Sequence, residues 1–133
     1  MNALSFPRKL LTVTNIAPLG SVEQSSTYND WRWEDGAAAS NAVDGLKGGD
    51  STAHTNWEYE YEPWWKVTFD SPVSVGTVVF FNRKDCCCGR ARDLTVQVLM
   101  SGNPVKTFQF LMENPPLRIV VNYLSLMVQQ GMR

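Results

Sequence analysis

Apolar residues gather in six short runs: "LLTVT" (10–14), "WWKVTFD" (64–70), "VGTVVFFN" (75–82), "LTVQVLM" (94–100), "VKTFQFL" (105–111) and "LRIVVNYLSLMV" (117–128). The runs are rich in Val, Thr and aromatics. Gly, Pro, Asn, Asp or Ser stands between most of them, so each predicts a β-strand. In "VKTFQF" the side chains alternate, which predicts one buried and one wet face. "SPVSVG" and "MSGNPV" predict turns. Only "GAAASNAVDG" (36–45) suits a short helix or a loop. Closely spaced short strands without intervening helices predict an all-β fold, an antiparallel β-sandwich or a barrel. Two long stretches, 24–36 and 44–62, lack strand character and carry Trp31, Trp33, His54, Trp57, Tyr59 and Tyr61. Aromatic-rich loops on a β scaffold are where binding usually resides.

Length and charge narrow the function classes. The 133 residues suit one domain around one core. The net charge of −1 argues against a nucleic-acid footprint or a basic membrane-binding surface. No uncharged apolar run is long enough to span a bilayer. The segment "MNALSFPRKLLTVTNIAPLG" lacks the basic start and long apolar stretch of a secretory signal. The expectation is either a signal already removed or a chain made without one. No repeat, low-complexity tract or linker divides the sequence.

All three cysteines, Cys86, Cys87 and Cys88, stand side by side in "NRKDCCCGR". Adjacent cysteines lack the spacing of a zinc knuckle, and His54 is the one histidine, so a structural zinc is disfavoured. Three readings remain open. One is a reactive thiol whose acidity is raised by Arg83 and Arg90. It would need a base, and only His54 could serve. Another is a disulfide between neighbours. Its Cα atoms, about 3.8 Å apart across a trans peptide, would be closer than in ordinary disulfides, making a strained, compact, apolar knob. The last is a thiol cluster without function. Two arginines flanking an apolar knob suit a sugar: each guanidinium is a planar fork of charged donors that can address neighbouring hydroxyls. The knob would cover a methyl group, and a deoxy sugar offers both features.

His54, Arg83-Lys84-Asp85, Cys86-Cys87 and Arg90, with "STAHT" before them and "PWWKV" between, resemble the motif of the fucose-binding F-type lectins, a branch of the discoidin-like (F5/8 type C) jelly rolls. "NIAPLGSVEQSSTYND" (15–30) resembles the family's opening strand and "QSSTY" segment; "ASNAVDG" (39–45), "PWWKVTFD" (63–70) and "YLSLMV" (123–128) extend the likeness over about 15–129. "AVDG" or "PWW" alone would indicate only the wider superfamily. The implied organisation is a lectin domain over 15–133, with 1–14 as an N-terminal extension or extra strand.

The resemblance implies that His54, Arg83 and Arg90 hydrogen-bond α-L-fucose while a Cys86–Cys87 disulfide packs on an apolar part of the sugar. Asp85 would brace an arginine. Arg32 and Trp33 fall in a loop that reaches toward the glycan, and Trp33 would either stack on a sugar or simply pack. It also implies a structural calcium near "NAVDG", drawn from Asn41, Asp44, Leu46 (through its backbone), Ser51 and Met127, with Val128 where the family has a Glu. Oxygen ligands, six to eight of them, are what calcium requires. Cys88 stands where the family has Gly, so it competes as a disulfide partner. The "AVDG"-to-His54 stretch is shorter than usual and the His54-to-"PWW" stretch longer. Thr52 and Met127 stand where many members carry a bridging cysteine pair.

Other residues have plainer expectations. Trp64 and Trp65 are expected as strand residues, one in the core and one half-buried. "WEYEYE" (57–62) is expected as a solvated loop or, alternatively, a glycan-contacting lip. A lone histidine is ordinarily packed or on the surface, and only the composite motif assigns His54 to a ligand. The reading is a non-catalytic, secreted lectin for fucosylated glycans, using weak single sites multiplied by oligomerisation. The alternative is a discoidin-type module binding protein or lipid with a degenerate sugar pocket. An enzyme using a low-pKa cysteine ranks behind both.

Overall fold

The computed structural model describes residues 13–29, 36–47, 51–56 and 60–122. Six strands follow one another in them: β1 (Ser21–Gln24), β2 (Trp65–Thr68), β3 (Thr77–Phe81), β4 (Asp93–Met100), β5 (Asn103–Leu111) and β6 (Arg118–Asn122). They pair antiparallel as β1–β2, β3–β6 and β4–β5. Among the described residues there is no α-helix; short 3₁₀ turns cover Ala17–Leu19, Ala39–Ala42 and Cys88–Ala91.

Period-2 patterning sets the inner faces. In β4–β5, Leu94 pairs with Phe110 and Val96 with Phe108, and these four are more shielded than Thr95, Gln97, Thr107 and Gln109 on the other face. The alternation expected of "VKTFQF" is thus present, with Phe108 and Phe110 on the sheltered side. In β3–β6, Val78 pairs with Val121 and Phe80 with Ile119. Ile119 and Val121 are buried, and with Ala37 they form the buried apolar set among the described residues. The predicted turn in "MSGNPV" is a tight hairpin: Ser101 (φ 49°) and Gly102 (φ 79°) are both left-handed, the twist that two-residue hairpins favour.

Three expectations change. Strand β1 has a single apolar residue, Val22, so no periodicity reveals it; only the likeness of its segment did. Val13 and Thr14, the described end of the "LLTVT" run, form no strand. Trp64 and Trp65 are not core residues but 47% and 37% exposed. Both are used at the surface instead: the Trp65 indole N–H donates to the Ala39 carbonyl (2.9 Å), and the Lys66 ammonium stands over the Trp64 ring, 5.1 Å from its centre. Residues 123–128 of the last predicted strand lie outside the described residues.

Strand β1 continues past Gln24 into the segment that organises one end of the molecule. The Ser25 N–H donates to the Trp64 carbonyl (2.9 Å) and the Trp64 N–H to the Ser25 hydroxyl (3.1 Å). The Tyr28 N–H donates to the His54 carbonyl (2.9 Å), and the His54 N–H to the carbonyl of buried Ala37 (3.1 Å). Three stretches far apart in sequence are therefore laced together around His54.

Candidate functional site

The loop after β3 begins with Asn82, a buried polar side chain. Its amide nitrogen donates to the carbonyls of Cys88 (3.0 Å) and Pro116 (3.4 Å), and its amide oxygen accepts the Arg83 N–H (2.9 Å). Its own N–H donates to the Leu117 carbonyl (2.9 Å). A buried amide must find partners for its donors and acceptor, and here those partners clamp both ends of the cysteine loop. Sequence reasoning passed over Asn82. The available signal was a short polar residue closing an apolar strand just before the motif.

Inside this clamp the arginine and the aspartate pair. Arg83 Nε donates to Asp85 Oδ1 at 3.0 Å, and its Nη2 donates to Oδ2, a bidentate fork. The guanidinium holds the Asp85 carboxyl far below the usual carboxylate range, and Asp85 raises Arg83 in turn. Asp85 thus grips the first arginine from two residues away.

The cysteine question resolves into one arrangement. Cys86 and Cys87 form a disulfide across adjacent residues, with Cα atoms 3.8 Å apart, and Cys88 is free and exposed. Cys87 is left-handed (φ 60°, ψ 19°), an uncommon conformation for a residue with a side chain. It turns the chain into the 3₁₀ turn Cys88–Ala91, where the Arg90 N–H donates to the Cys87 carbonyl (3.1 Å). That turn carries Arg90 toward His54.

His54 and Arg90 meet across 36 residues of sequence: Arg90 Nη1 lies 3.0 Å from His54 Nε2. The other ring nitrogen, Nδ1, contacts the Thr55 carbonyl. A guanidinium can only donate, so Nε2 must accept. A carbonyl can only accept, so Nδ1 must carry the proton. The two contacts together assign the neutral Nδ1–H tautomer. The Tyr28 ring stands 5.0 Å from the imidazole. Gln24 Nε2 reaches the carbonyls of Ala37 (2.9 Å) and His54 (3.3 Å), a second support that sequence reasoning did not single out. Of the three expected ligand-binding residues, then, His54 and Arg90 touch, while Arg83 is oriented by Asp85 on the same loop. Arg32 and Trp33 lie outside the described residues.

A family profile for F5/8 type C domains, described as NedA-like, galactose-binding domain, matches residues 41–115. The chain belongs to the F5/8 type C family. A pentraxin fusion protein of Xenopus laevis is 34% identical to this F5/8 type C domain over 88 residues, covering 63% of the chain and 20% of the relative. The chain thus spans a fifth of that relative's length. Among solved structures, the lectin domain of lectinolysin complexed with Lewis b antigen aligns with a TM-score of 0.68 at 29% identity, covering 83% of this chain and 77% of that one. A histidine mutant of the same lectin domain, also complexed with Lewis b, aligns with a TM-score of 0.70 at 29% identity, covering 84% and 77%. Of the sandwich and barrel that the strand pattern left open, the all-β sandwich that the resemblance implied is the fold, shared with galactose-binding-like lectin domains.

The family's calcium position can be tested against the oxygens present. In this F5/8 type C domain, Asp44 Oδ1 accepts the Leu46 N–H (2.8 Å) and Oδ2 accepts the Ser51 hydroxyl. The Asn41 amide nitrogen donates to the Gly36 carbonyl (3.3 Å). Beside Ser51, the Thr52 hydroxyl is buried without a hydrogen-bond partner. The Asp44 carboxylate and Ser51 hydroxyl converge, and both are hard oxygen donors of the type calcium takes. Among the described residues no group of three or more His, Cys, Asp or Glu could hold a metal. Met127 and Val128 lie outside the described residues.

Proposed function

We propose that this domain is an F-type lectin that binds terminal α-L-fucose on glycans. The observation that carries the reading is the 3.0 Å contact between His54 and Arg90 beside the exposed Cys86–Cys87 bridge. Arg90 would keep its remaining guanidinium N–H groups for the sugar's ring oxygen and hydroxyls. Arg83, aimed by Asp85, would add a second fork. The bridge would present an apolar surface to the methyl group that a deoxy sugar carries, and forked charged donors match neighbouring hydroxyls. The likeness to a lectin domain complexed with Lewis b, a fucosylated antigen, supports a fucosylated ligand.

Two observations support binding over turnover. Cys86 and Cys87 are consumed in the bridge, and both nitrogens of His54 are engaged. A shallow polar pocket of this kind retains affinities of about 10⁻⁶ to 10⁻³ M for one sugar. Oligomerisation, or further domains in a longer chain, would raise avidity. The bridge itself favours an oxidising, extracellular setting. A structural calcium ion, where bound, would be held by Asp44 and Ser51 and would fix the 44–51 segment three residues before His54.

The test is calorimetric titration of L-fucose into the parent and into Arg83→Ala and Arg90→Ala. Each variant is expected to lose at least about tenfold in affinity, the loss of one charge-assisted hydrogen bond. A parent that takes up no fucose but is retained on anionic liposomes would favour the discoidin-type module instead. An Arg83→Ala protein that binds as well as the parent would remove the lectin assignment of this loop.

A further inference from the structure

The structure gives Cys88 an unusual neighbour. Cys88 is free and exposed, and it directly follows a disulfide whose two members, Cys86 and Cys87, are exposed as well. Nucleophile and electrophile are therefore adjacent in the chain and open to solvent. A thiolate in reach of a disulfide exchanges with it. Attack on the nearer sulfur keeps Cys87 in the bridge: Cys87 can be paired with the residue before it or with the residue after it, and both pairs are one peptide apart.

We propose that the three-sulfur run 86–88 is a thiol–disulfide exchange site that slides the bridge between a Cys86–Cys87 and a Cys87–Cys88 register. Cys88 gives its proton to solvent, and its thiolate attacks Cys87 Sγ. The Cys87–Cys88 bond forms as the Cys86–Cys87 bond breaks. The electron pair leaves on Cys86 Sγ, which takes up a proton. No net oxidation or reduction occurs, so no co-reactant is needed.

The backbone is arranged to tolerate the exchange. The Cys88 carbonyl is pinned by Asn82 and the Cys87 carbonyl by the Arg90 N–H, so the main chain that follows the central sulfur is held while side chains trade partners. The consequence falls on the proposed pocket, and this part rests on the lectin reading. In the observed register the bridge adjoins Asp85, the partner of Arg83. In the other it would include the first residue of the turn that carries Arg90. The apolar knob would move by one Cα step, about 3.8 Å, from one arginine toward the other. A contact surface for a methyl group cannot survive such a displacement unchanged, so the bridge register would set the fraction of molecules competent to bind.

The test needs no sugar. The native, unreduced protein is labelled with iodoacetamide at mildly alkaline pH, quenched in acid and digested with pepsin, which suppresses later scrambling. Fragment masses then identify the alkylated cysteine. Exchange predicts label on both Cys86 and Cys88, in different molecules, with the Cys86 share above about one tenth, as for two registers within a factor of about ten of each other. That share should not change on tenfold dilution, because the reaction is intramolecular. Label confined to Cys88 would overturn the proposal. So would label on Cys87, which would mean a Cys86–Cys88 bridge, or a Cys86 share that falls with dilution. Calorimetry with L-fucose on Cys88→Ser, whose bridge cannot slide, judges the lectin reading separately. Loss of one result leaves the other standing.

Discussion

His54 shows how single contacts assign chemistry. Its protonation pattern follows from the two groups it faces, a guanidinium that can only donate and a carbonyl that can only accept. Asp85 is the complementary case. It serves the site by holding Arg83, and the arginine's hydrogen bonds keep its carboxyl ionised well below the ordinary range. A folded-state pKa depressed below the unfolded value of about 3.9 contributes fully above that value and is lost only as pH falls through the folded pKa. The Arg83–Asp85 contribution should therefore be flat through neutral and mildly acidic pH. Asp85→Asn should weaken L-fucose binding about two- to fivefold, the scale of an exposed ion pair. The ratio of parent to variant affinity should be the same at about pH 3.5 and pH 8, because any other titrating group acts on both proteins. A ratio that shrinks toward about pH 3.5, where an ordinary aspartate is more than half protonated, would show that Asp85 is not held ionised by Arg83.

At the scale of elements, the loop 82–91 is positioned by neighbours it does not resemble in sequence. Asn82 ties the end of β3 to the residues preceding β6 and to the start of the 3₁₀ turn. Replacing it with alanine removes two part-buried hydrogen bonds, to the Cys88 and Pro116 carbonyls, which costs about 1–3 kcal/mol. Asn82→Ala should accordingly lower the melting temperature by several degrees in a thermal denaturation scan, and it should weaken L-fucose binding too, because both Arg83 and Arg90 depend on that loop. Unchanged melting and binding together would show that the clamp carries no weight. Strands β3 to β6 were legible because their apolar residues recur with period two or in β-branched runs. Strand β1 was not, because "SVEQ" buries little and is held by its pairing with β2: Val22 opposite Val67 and Gln24 opposite Trp65. The exposed tryptophans have a related cause. Bulk and aromaticity predict burial on average, but the Trp65 indole N–H needs an acceptor and finds one at the edge, in Ala39.

For the molecule as a whole, the site is the meeting point of segments 24–28, 36–37, 54–55 and 82–91, and its order depends on all of them. Calcium, if held by Asp44 and Ser51, acts at this scale, since a ligand that binds only the folded state stabilises it by mass action. Millimolar calcium should raise the melting temperature of the parent, while Asp44→Asn should melt at the same temperature with calcium or with chelator. A parent that melts identically in calcium and in chelator would show that one carboxylate with its neighbours is too little charge to retain the ion.

By itself the sequence determined the all-β class, the turn in "MSGNPV" and the motif that names the loop. These depend on local periodicity, turn chemistry and residue spacing, which a one-dimensional chain records directly. Only the tertiary structure decided that Cys86 rather than Cys88 partners Cys87, that His54 meets Arg90, and that Asn82 and Gln24 support them. Each of those rests on which atoms lie within bonding or hydrogen-bonding reach after folding; the motif assigns His54 and Arg90 to one sugar, but not that they touch each other across 36 residues.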